Sequence, residues 1–266
     1  MSHHPRRRFG QNFLCDLGVI DQMVAAIRPQ AGQSFLEIGP GQGALTRPLL
    51  DAGVQLHAIE IDRDLAGHLA TWPQAQSQQL RITIDDALKH PIANLTELDP
   101  ASPLRIVGNL PYNLSTPLLF HLTDQLTSVA DLHLLLQREV VERMAAQPGS
   151  GTYGRLSVML QYRCQVIPVL AVPPEAFRPA PQVHSAFVRL LPLKDPPLPN
   201  VESQALAEVV KHAFGQRRKT LRNALSNLLT AADIKASGID PATRAEQVDL
   251  VGFGQLAITY QQISNQ

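Results

Sequence analysis

The sequence predicts an α/β protein with a doubly wound sheet, followed by a small all-helical region. Apolar runs of strand length alternate with segments at helical spacing over the first part of the chain. A glycine-rich turn at residues 39–43 follows directly on one of these runs, and four prolines lie between residues 192 and 200. We therefore expect an α/β domain over residues 1–191, a linker over 192–200 and a helical domain over 201–266.

The apolar runs predict seven strands. They are expected at residues 34–38, 56–59, 80–84, 104–107, 129–136, 166–172 and 186–191.

Composition and charge exclude several classes of protein. The 266 residues include 23 Lys and Arg and 23 Asp and Glu, so any nucleic-acid surface must arise from local segregation of charge. Two cysteines, Cys15 and Cys164, are too few for a disulfide framework and offer no close pair for a metal. With no apolar run near the roughly 20 residues that span a bilayer, we expect a cytoplasmic protein without a membrane partner or a metal.

The N-terminal segment reads as a flap before a helix. Residues 9–14 hold two aromatic rings and two amides, and Asp16 is a plausible N-cap for the apolar helical pattern that follows. Phe9 and Phe13 could be packing anchors or ligand contacts, and the periodicity favours packing.

The glycine-rich turn and a later carboxylate predict a nucleoside-containing cofactor. Gly39, Gly41 and Gly43 stand at alternate positions, where a backbone can turn sharply and approach a ligand. Glu60 ends the next strand pattern, seventeen residues after Gly43. A carboxylate there can accept hydrogen bonds from a ribose diol.

Two details favour S-adenosylmethionine over NAD or FAD. The glycine spacing is GxGxG and lacks the GxGxxG of the dinucleotide fingerprint. Glu37 stands two residues before Gly39, where it would repel a pyrophosphate but suit a cationic or amino-acid ligand. S-adenosylmethionine carries both a sulfonium and an α-amino group.

The third strand pattern also ends in carboxylates, Asp85 and Asp86. An acid at this edge can bond the exocyclic amine of adenine. Strand alternation favours Asp86 as the ligand contact, and the alternative is that either residue only caps the next turn.

The fourth strand pattern ends in Asn109, Leu110, Pro111 and Tyr112. The carboxyl end of such a strand faces the ligand crevice, so an amide acceptor and an aromatic ring would lie where a substrate binds. This suits a flat heterocycle with an amino group, although an ordinary turn that closes a strand would use similar residues.

A proline-rich loop at residues 172–181 holds Phe177. A ring fixed in such a loop could stack on the far face of a base. The alternative is a rigid surface turn.

Basic residues crowd one segment of the helical region, where they predict contact with RNA phosphates. These are Lys211, Arg217, Arg218, Lys219 and Arg222. A solvated helix face is the alternative.

Five stretches together resemble the ribosomal RNA adenine dimethylases, and most closely the members that act on small-subunit RNA. They are residues 8–14, 37–43, 109–112, 153–158 and 214–221. The resemblance implies a seven-stranded, mostly parallel, Rossmann-like methyltransferase sheet. It also implies that S-adenosylmethionine serves to dimethylate two adjacent adenosines in a 3′-terminal hairpin of 16S rRNA within the pre-30S particle, during ribosome biogenesis. We also expect a monomer.

The resemblance also assigns residues. It carries cofactor binding to Asn12, Leu14, Gly39, Glu60, Asp86 and Asn109, and adenine handling to Asn109, Leu110, Tyr112 and Phe177. The chain departs from the family pattern at Gly151, Gln182 and His184, which weakens any transfer of RNA contacts in those loops.

These residues suggest a mechanism, in which the amine must be localised because its lone pair is delocalised into the ring. The Asn109 side-chain oxygen and the Leu110 main-chain oxygen would accept the amine hydrogens while Tyr112 and Phe177 sandwich the base. Two other functions stay open: a non-catalytic RNA-binding assembly or transcription factor, and an enzyme that acts on large-subunit RNA or DNA. The intact Asn109, Pro111 and Tyr112 argue against the first.

Overall fold

The structure is a computed structural model that describes residues 11–92, 103–195, 197–216 and 218–264. The chain forms two compact units, one of Met1–Val141 with Ile167–Pro192 and one of Glu142–Val166 with Leu193–Gln266. The units differ from the predicted domains in residues 142–166, which group with the C-terminal helices.

A seven-stranded sheet has the order β4-β3-β2-β5-β6-β9-β7. The pairs among β4, β3, β2, β5 and β6 are parallel, and β9 runs antiparallel to β6. All seven predicted strands are confirmed. They are β2 (Ser34–Ile38), β3 (Gln55–Glu60), β4 (Leu80–Ile84), β5 (Leu104–Asn109), β6 (Val129–Gln137), β7 (Cys164–Val172) and β9 (Ser185–Pro192).

Two further strands, β1 (Phe13–Leu14) and β8 (Phe177–Arg178), pair antiparallel in a sheet of their own. Each is two residues long, so no apolar run could predict it. Their pairing joins the N-terminal segment to the proline-rich loop.

Helices flank the sheet of the first unit. α1 packs residues Ile20, Met23 and Ile27 into one core cluster with Phe35 and Phe187 of the sheet. The predicted cap of α1 is confirmed, since the Asp16 carboxylate accepts the Val19 N–H at 3.0 Å. The helices are α1 (Leu17–Ile27), α2 (Thr46–Asp51), α3 (Arg63–Ala70), α4 (Pro73–Gln76), α5 (Ser115–Thr123) and α6 (Arg138–Met144), the last of which runs into the second unit.

The strand order creates a crevice between β2 and β5. Chain connections leave β2 toward β3 on one side and leave β5 toward β6 on the other, and ligands bind at such switch points. Ile38 of β2 pairs with Gly108 of β5. A Cβ at Gly108 would lie 2.8 Å from the Ile38 carbonyl oxygen, so glycine permits this close approach.

At the opposite ends of the central strands lies a buried group of charges, which the sequence did not predict. Arg105 of β5 donates hydrogen bonds to both carboxylate oxygens of Asp131 on β6, at 2.9 and 3.0 Å. Arg189 of β9 reaches the same carboxylate at 2.8 Å. Burial alone would raise the pKa of Asp131, but the hydrogen bonds from the two arginines hold that pKa below its usual range.

The second unit is helical, as expected for the C-terminal region. The Phe214 ring packs edge-to-face against Tyr153 and at a tilt against Phe253, with ring centroids 6.1 and 5.5 Å apart. The helices are α7 (Arg155–Gln161), α8 (Ser203–Gly215), α9 (Leu221–Ala224), α10 (Ala231–Ala236) and α11 (Leu250–Ser264). Across the described ranges of the chain, every helix is too short or too polar to cross a membrane.

Candidate active site

A cavity opens at the carboxyl ends of β2 to β5, with about 1170 Å³ of empty space, part of it open to solvent. Its lining contains every residue predicted to bind the cofactor and most of those predicted to handle the base. These are Asn12, Leu14, Gly39, Gly41, Glu60, Asp86, Asn109, Leu110, Pro111 and Tyr112. All of them belong to the first unit.

Glu60 is fixed by backbone donors. Its two carboxylate oxygens accept the Gly41 N–H at 3.1 Å and the Asp62 N–H at 2.9 Å. Burial raises the pKa of Glu60, the backbone N–H bonds from Asp62, Gly41 and Ile61 oppose that rise, and the Asp62 charge adds to it. A carboxylate has about four acceptor sites, so Glu60 keeps capacity for a hydrogen bond from a diol in the cavity.

Glu37 is the second buried carboxyl group in the lining. It accepts a hydrogen bond from the Thr46 hydroxyl at 2.7 Å. Burial raises the pKa of Glu37 to about 7, the Thr46 bond lowers it, and the nearby Glu60 charge raises it. Such a group is better accommodated beside a cation than beside an anion.

Asp85 and Asp86 both line the cavity but differ in their bonds. Asp85 uses one oxygen for the Asp86 N–H at 2.8 Å and the other for His90 at 3.0 Å. The His90 bond holds the pKa of Asp85 below its usual value. Asp86 accepts the Leu88 N–H at 3.0 Å through Oδ1, which leaves Oδ2 with more capacity for a ligand.

The amide of Asn109 is oriented by the N-terminal segment. Its Nδ2 donates to the main-chain oxygen of Asn12 at 3.0 Å. With the NH₂ end committed, Oδ1 is the end of the amide with acceptor capacity left for the cavity. The adjacent backbone is held to the sheet, because the Leu110 N–H donates to the Leu135 oxygen at 3.1 Å.

Phe13 covers the glycine loop. A Cβ built on Gly41, which has a φ of +57°, would lie 3.2 Å from the Phe13 ring. Phe13 therefore packs against the loop, as the periodicity favoured, and it also lines the cavity. Phe9 lies outside the described residues.

Phe177 is the one predicted base-handling residue that the structure places elsewhere. Its ring is fully buried in the core cluster, it pairs with Leu14 across β1 and β8, and it is not part of the cavity lining. The apolar ring packs under the N-terminal segment because both strands are pinned by backbone pairing. Stacking of Phe177 on a base stays a prediction.

The predicted basic cluster lies in the second unit. Arg218, Lys219 and Arg222 are exposed, and the exposed Lys211 contacts Glu208 at 3.3 Å. Arg217 lies outside the described residues.

Sequence reasoning missed two residues near these sites. Arg244 is exposed, and its backbone pairs with that of Thr220, which follows Lys219 of the basic cluster. Arg244 therefore lies near the cluster although it is more than 20 residues away along the chain. Ser185 contacts Tyr112 through its hydroxyl at 2.6 Å. Only the fold brings either residue to its place, so no motif spacing could have found them.

Both the sequence and the fold of this chain are similar to those of known proteins. The family model for ribosomal RNA adenine dimethylase matches residues 2–262. Ribosomal RNA small subunit methyltransferase A of Pseudomonas syringae is 52% identical over 261 residues, covering 97% of this chain and 95% of the relative. The enzyme of the same description from Photorhabdus laumondii is 51% identical over 255 residues, covering 96% and 93%.

Two solved structures share the fold. A dimethyladenosine transferase from Plasmodium falciparum superposes with a TM-score of 0.80 at 23% identity, covering 95% of this chain and 98% of that one. The 23S rRNA methyltransferase ErmE superposes with a TM-score of 0.70 at 23% identity, covering 94% and 100%.

Proposed function

This chain belongs to the ribosomal RNA adenine dimethylase family, and we propose that it uses S-adenosylmethionine to dimethylate two adjacent adenosines in a 3′-terminal hairpin of 16S rRNA during ribosome biogenesis. The relatives that share about half of their residues with this chain are small-subunit enzymes, which supports the choice of RNA. The observation that carries the chemistry is the orientation of the Asn109 amide by Asn12.

The lining residues fit the proposed cofactor. Glu60 is buried and rigidly held, with lone pairs left for a ribose, and Asp86 offers Oδ2 to an adenine amine. Glu37 supplies an acidic wall suited to a cation, and the Gly39 and Gly41 backbone leaves room for close approach. When bound, S-adenosylmethionine would supply the methyl group that is transferred.

The residues after β5 would prepare the target amine. Asn109 Oδ1 and the Leu110 main-chain oxygen accept its two hydrogens and turn its lone pair toward the cofactor side of the cavity. Tyr112 provides one aromatic wall. No strong base is needed, because the amine becomes acidic as the new bond forms, and positioning alone can supply several kcal/mol of the barrier.

Methyl transfer by an Asn109→Ala variant tests this chemistry. We expect the substitution to lower kcat by about 100-fold or more, as for the loss of one preorganised polar group at a reacting centre. Asn113 is exposed and lies outside the cavity lining, so Asn113→Ala is a matched control that should retain activity. The assay follows dimethyladenosine in 16S rRNA by mass spectrometry, with naked RNA and with pre-30S particles.

Three results would contradict the proposal. Tight S-adenosylmethionine binding by calorimetry without methyl transfer to any RNA would favour a non-catalytic RNA-binding protein. Methylation of 23S rRNA alone would favour the large-subunit reaction. Equal activity of the Asn109→Ala and Asn113→Ala variants would remove the amide from the mechanism.

We further propose that the protein acts as a monomer on the pre-30S particle and that the basic cluster docks on RNA phosphates. Replacing Arg217, Arg218 and Lys219 with Gln should weaken binding to the particle and flatten the plot of log affinity against log salt by about 0.7–0.9 for each phosphate that is no longer neutralised. Methyl transfer at saturating substrate should be nearly unchanged, since Arg218 and Lys219 lie outside the cavity lining.

Lys235→Gln on α10 is the control for this experiment, because Lys235 is exposed but stands outside the cluster. If the wild type and the triple variant had the same salt dependence, the cluster would be a solvated surface only. Light scattering on the free protein would test the monomer.

A further inference from the structure

The phenol of Tyr112 is anchored on a distant strand. Its oxygen lies 2.6 Å from the Ser185 hydroxyl. Ser185 is completely buried and is absent from the cavity lining, whereas Tyr112 is half-buried and part of it. The hydrogen bond therefore joins a wall of the cavity to the interior of the sheet.

The two partners differ in how firmly the backbone holds them. Ser185 is the first residue of β9, where it pairs with Gln137 at the end of β6. Tyr112 stands in the turn between β5 and α5, outside any strand or helix. A tyrosine ring in a turn has two rotatable side-chain bonds, and a bond at its far end restricts both. β9 thus fixes the orientation of the Tyr112 ring, which the turn alone would leave variable.

The phenol is a tether and not an acid or a base at neutral pH. Burial raises the pKa of Tyr112, and the Ser185 bond lowers it by a smaller amount. The hydroxyl group therefore stays protonated and acts through its hydrogen bond. Burial of Ser185 also excludes water that could replace the partner.

We propose that Ser185 is a positioning residue for methyl transfer, whose hydroxyl fixes the plane of the Tyr112 ring against which the target adenine lies. The inference rests on the proposed function and deepens it, because it names the group that sets the base-stacking wall. A ring held in place leaves less freedom to lose when the base binds and the amine is aligned.

A double-mutant cycle on Ser185→Ala and Tyr112→Phe tests the proposal, because each variant removes the same hydrogen bond from one side. Each single variant should lower kcat for RNA methylation by about threefold to tenfold, the range expected for one neutral hydrogen bond. The double variant should be no worse than the poorer single variant. The S-adenosylmethionine Kd should be unchanged in all three, since the bond lies on the substrate side.

Ser34→Ala is the matched control, because Ser34 is also a buried strand serine of the same sheet but has no place in the cavity lining. It should retain wild-type kcat. A purely structural role of Ser185 would lower the melting temperature and weaken cofactor binding together, without coupling to Tyr112 in kcat.

Additive losses in kcat, or a Tyr112→Phe variant with wild-type kcat, would overturn the inference. If Ser185→Ala failed to fold, Tyr112→Phe would still decide, because it breaks the bond and leaves the buried serine intact. A wild-type protein that methylates no adenosine would overturn the proposed function and this inference with it. An active wild type with uncoupled variants would overturn this inference alone.

Discussion

The two ends of the central strands hold polar groups of opposite character. At one end of β5, Arg105 is buried and all its hydrogen bonds go to protein atoms, among them Asp131, Gln33 and the Ile27 oxygen. At the other end of the same strand, the Asn109 side chain donates a hydrogen bond to Asn12 through its NH₂ group, and this residue lines the cavity. Satisfied polar groups stabilise a fold, whereas polar groups with spare capacity can bind a ligand.

The neighbouring strands β6 and β9 also carry different polar groups toward their two ends. β6 carries Asp131 near its start, and β9, which runs in the opposite direction, carries Ser185 at the cavity end and Arg189 four residues farther from the cavity. The same strands thus hold fold-stabilising residues toward one end and residues of the proposed active site at the other end. Substitutions in the charge group should change stability, and substitutions at the cavity end should change ligand binding.

The largest expected effect is that of Asp131→Ala on stability. Removing this carboxylate leaves the buried Arg105 without its charge partner, which costs about 3–5 kcal/mol of the free energy of unfolding. Denaturant unfolding measures the loss, and the cofactor affinity of the folded variant should match the wild type. Asp21→Ala, at an exposed acid on α1, is the control. A loss below about 1 kcal/mol for Asp131→Ala would mean that the charge group is not an anchor.

A smaller effect, of the opposite kind, is expected for Glu60→Ala. Loss of the charge-assisted ribose bonds should weaken S-adenosylmethionine binding by about 1.5–3 kcal/mol, measured by calorimetry. The free energy of unfolding should change little, because Gly41 and Asp62 can donate to water that enters the cavity. Unchanged cofactor affinity in a folded variant would remove Glu60 from the ribose site.

The smallest effect, counted per pH unit, is a difference in the pH dependence of stability between Glu37 of β2 and His133 of β6. The pKa of Glu37 is raised to about 7 by burial, so between pH 4.5 and 7 the folded state holds a proton that the unfolded state has lost. Stability contributed by this group falls as the pH rises, by at most about 1.4 kcal/mol per pH unit.

His133 acts in the opposite direction. Burial lowers its pKa to about 4, so between pH 4 and 6.5 the unfolded state holds the extra proton and stability rises with pH. Unfolding free energies measured across this range should therefore slope upward with pH in Glu37→Gln relative to the wild type, and downward in His133→Gln. Parallel curves for the two variants would refute the assignment.

The sequence predicted the strands and the cavity end well because both depend on local pattern. An apolar run followed by glycine, Asn or Glu identifies a strand and the polar residue at its carboxyl end, as for Gly39, Glu60 and Asn109. Since parallel strands end at the same edge, these residues could be brought together without coordinates.

The rest depends on which residues of distant strands become neighbours. Arg105, Asp131 and Arg189 each interrupt an apolar run singly, and only the register of β5, β6 and β9 joins them. The burial of Phe177 depends likewise on its pairing with Leu14. No spacing along the chain encodes either contact, so the sequence pattern shows neither these ion pairs nor the burial of the Phe177 ring.

The pairing of Leu14 with Phe177 also sets a time during synthesis. Residues of β1 are made first, but their partners in β8 are made more than 150 residues later. At about 5–20 residues per second, the N-terminal segment waits roughly ten to thirty seconds at the translating ribosome. Asn12, which orients the Asn109 amide, precedes β1 directly, so a nascent chain acquires its complete cavity rim only when the first unit is almost finished.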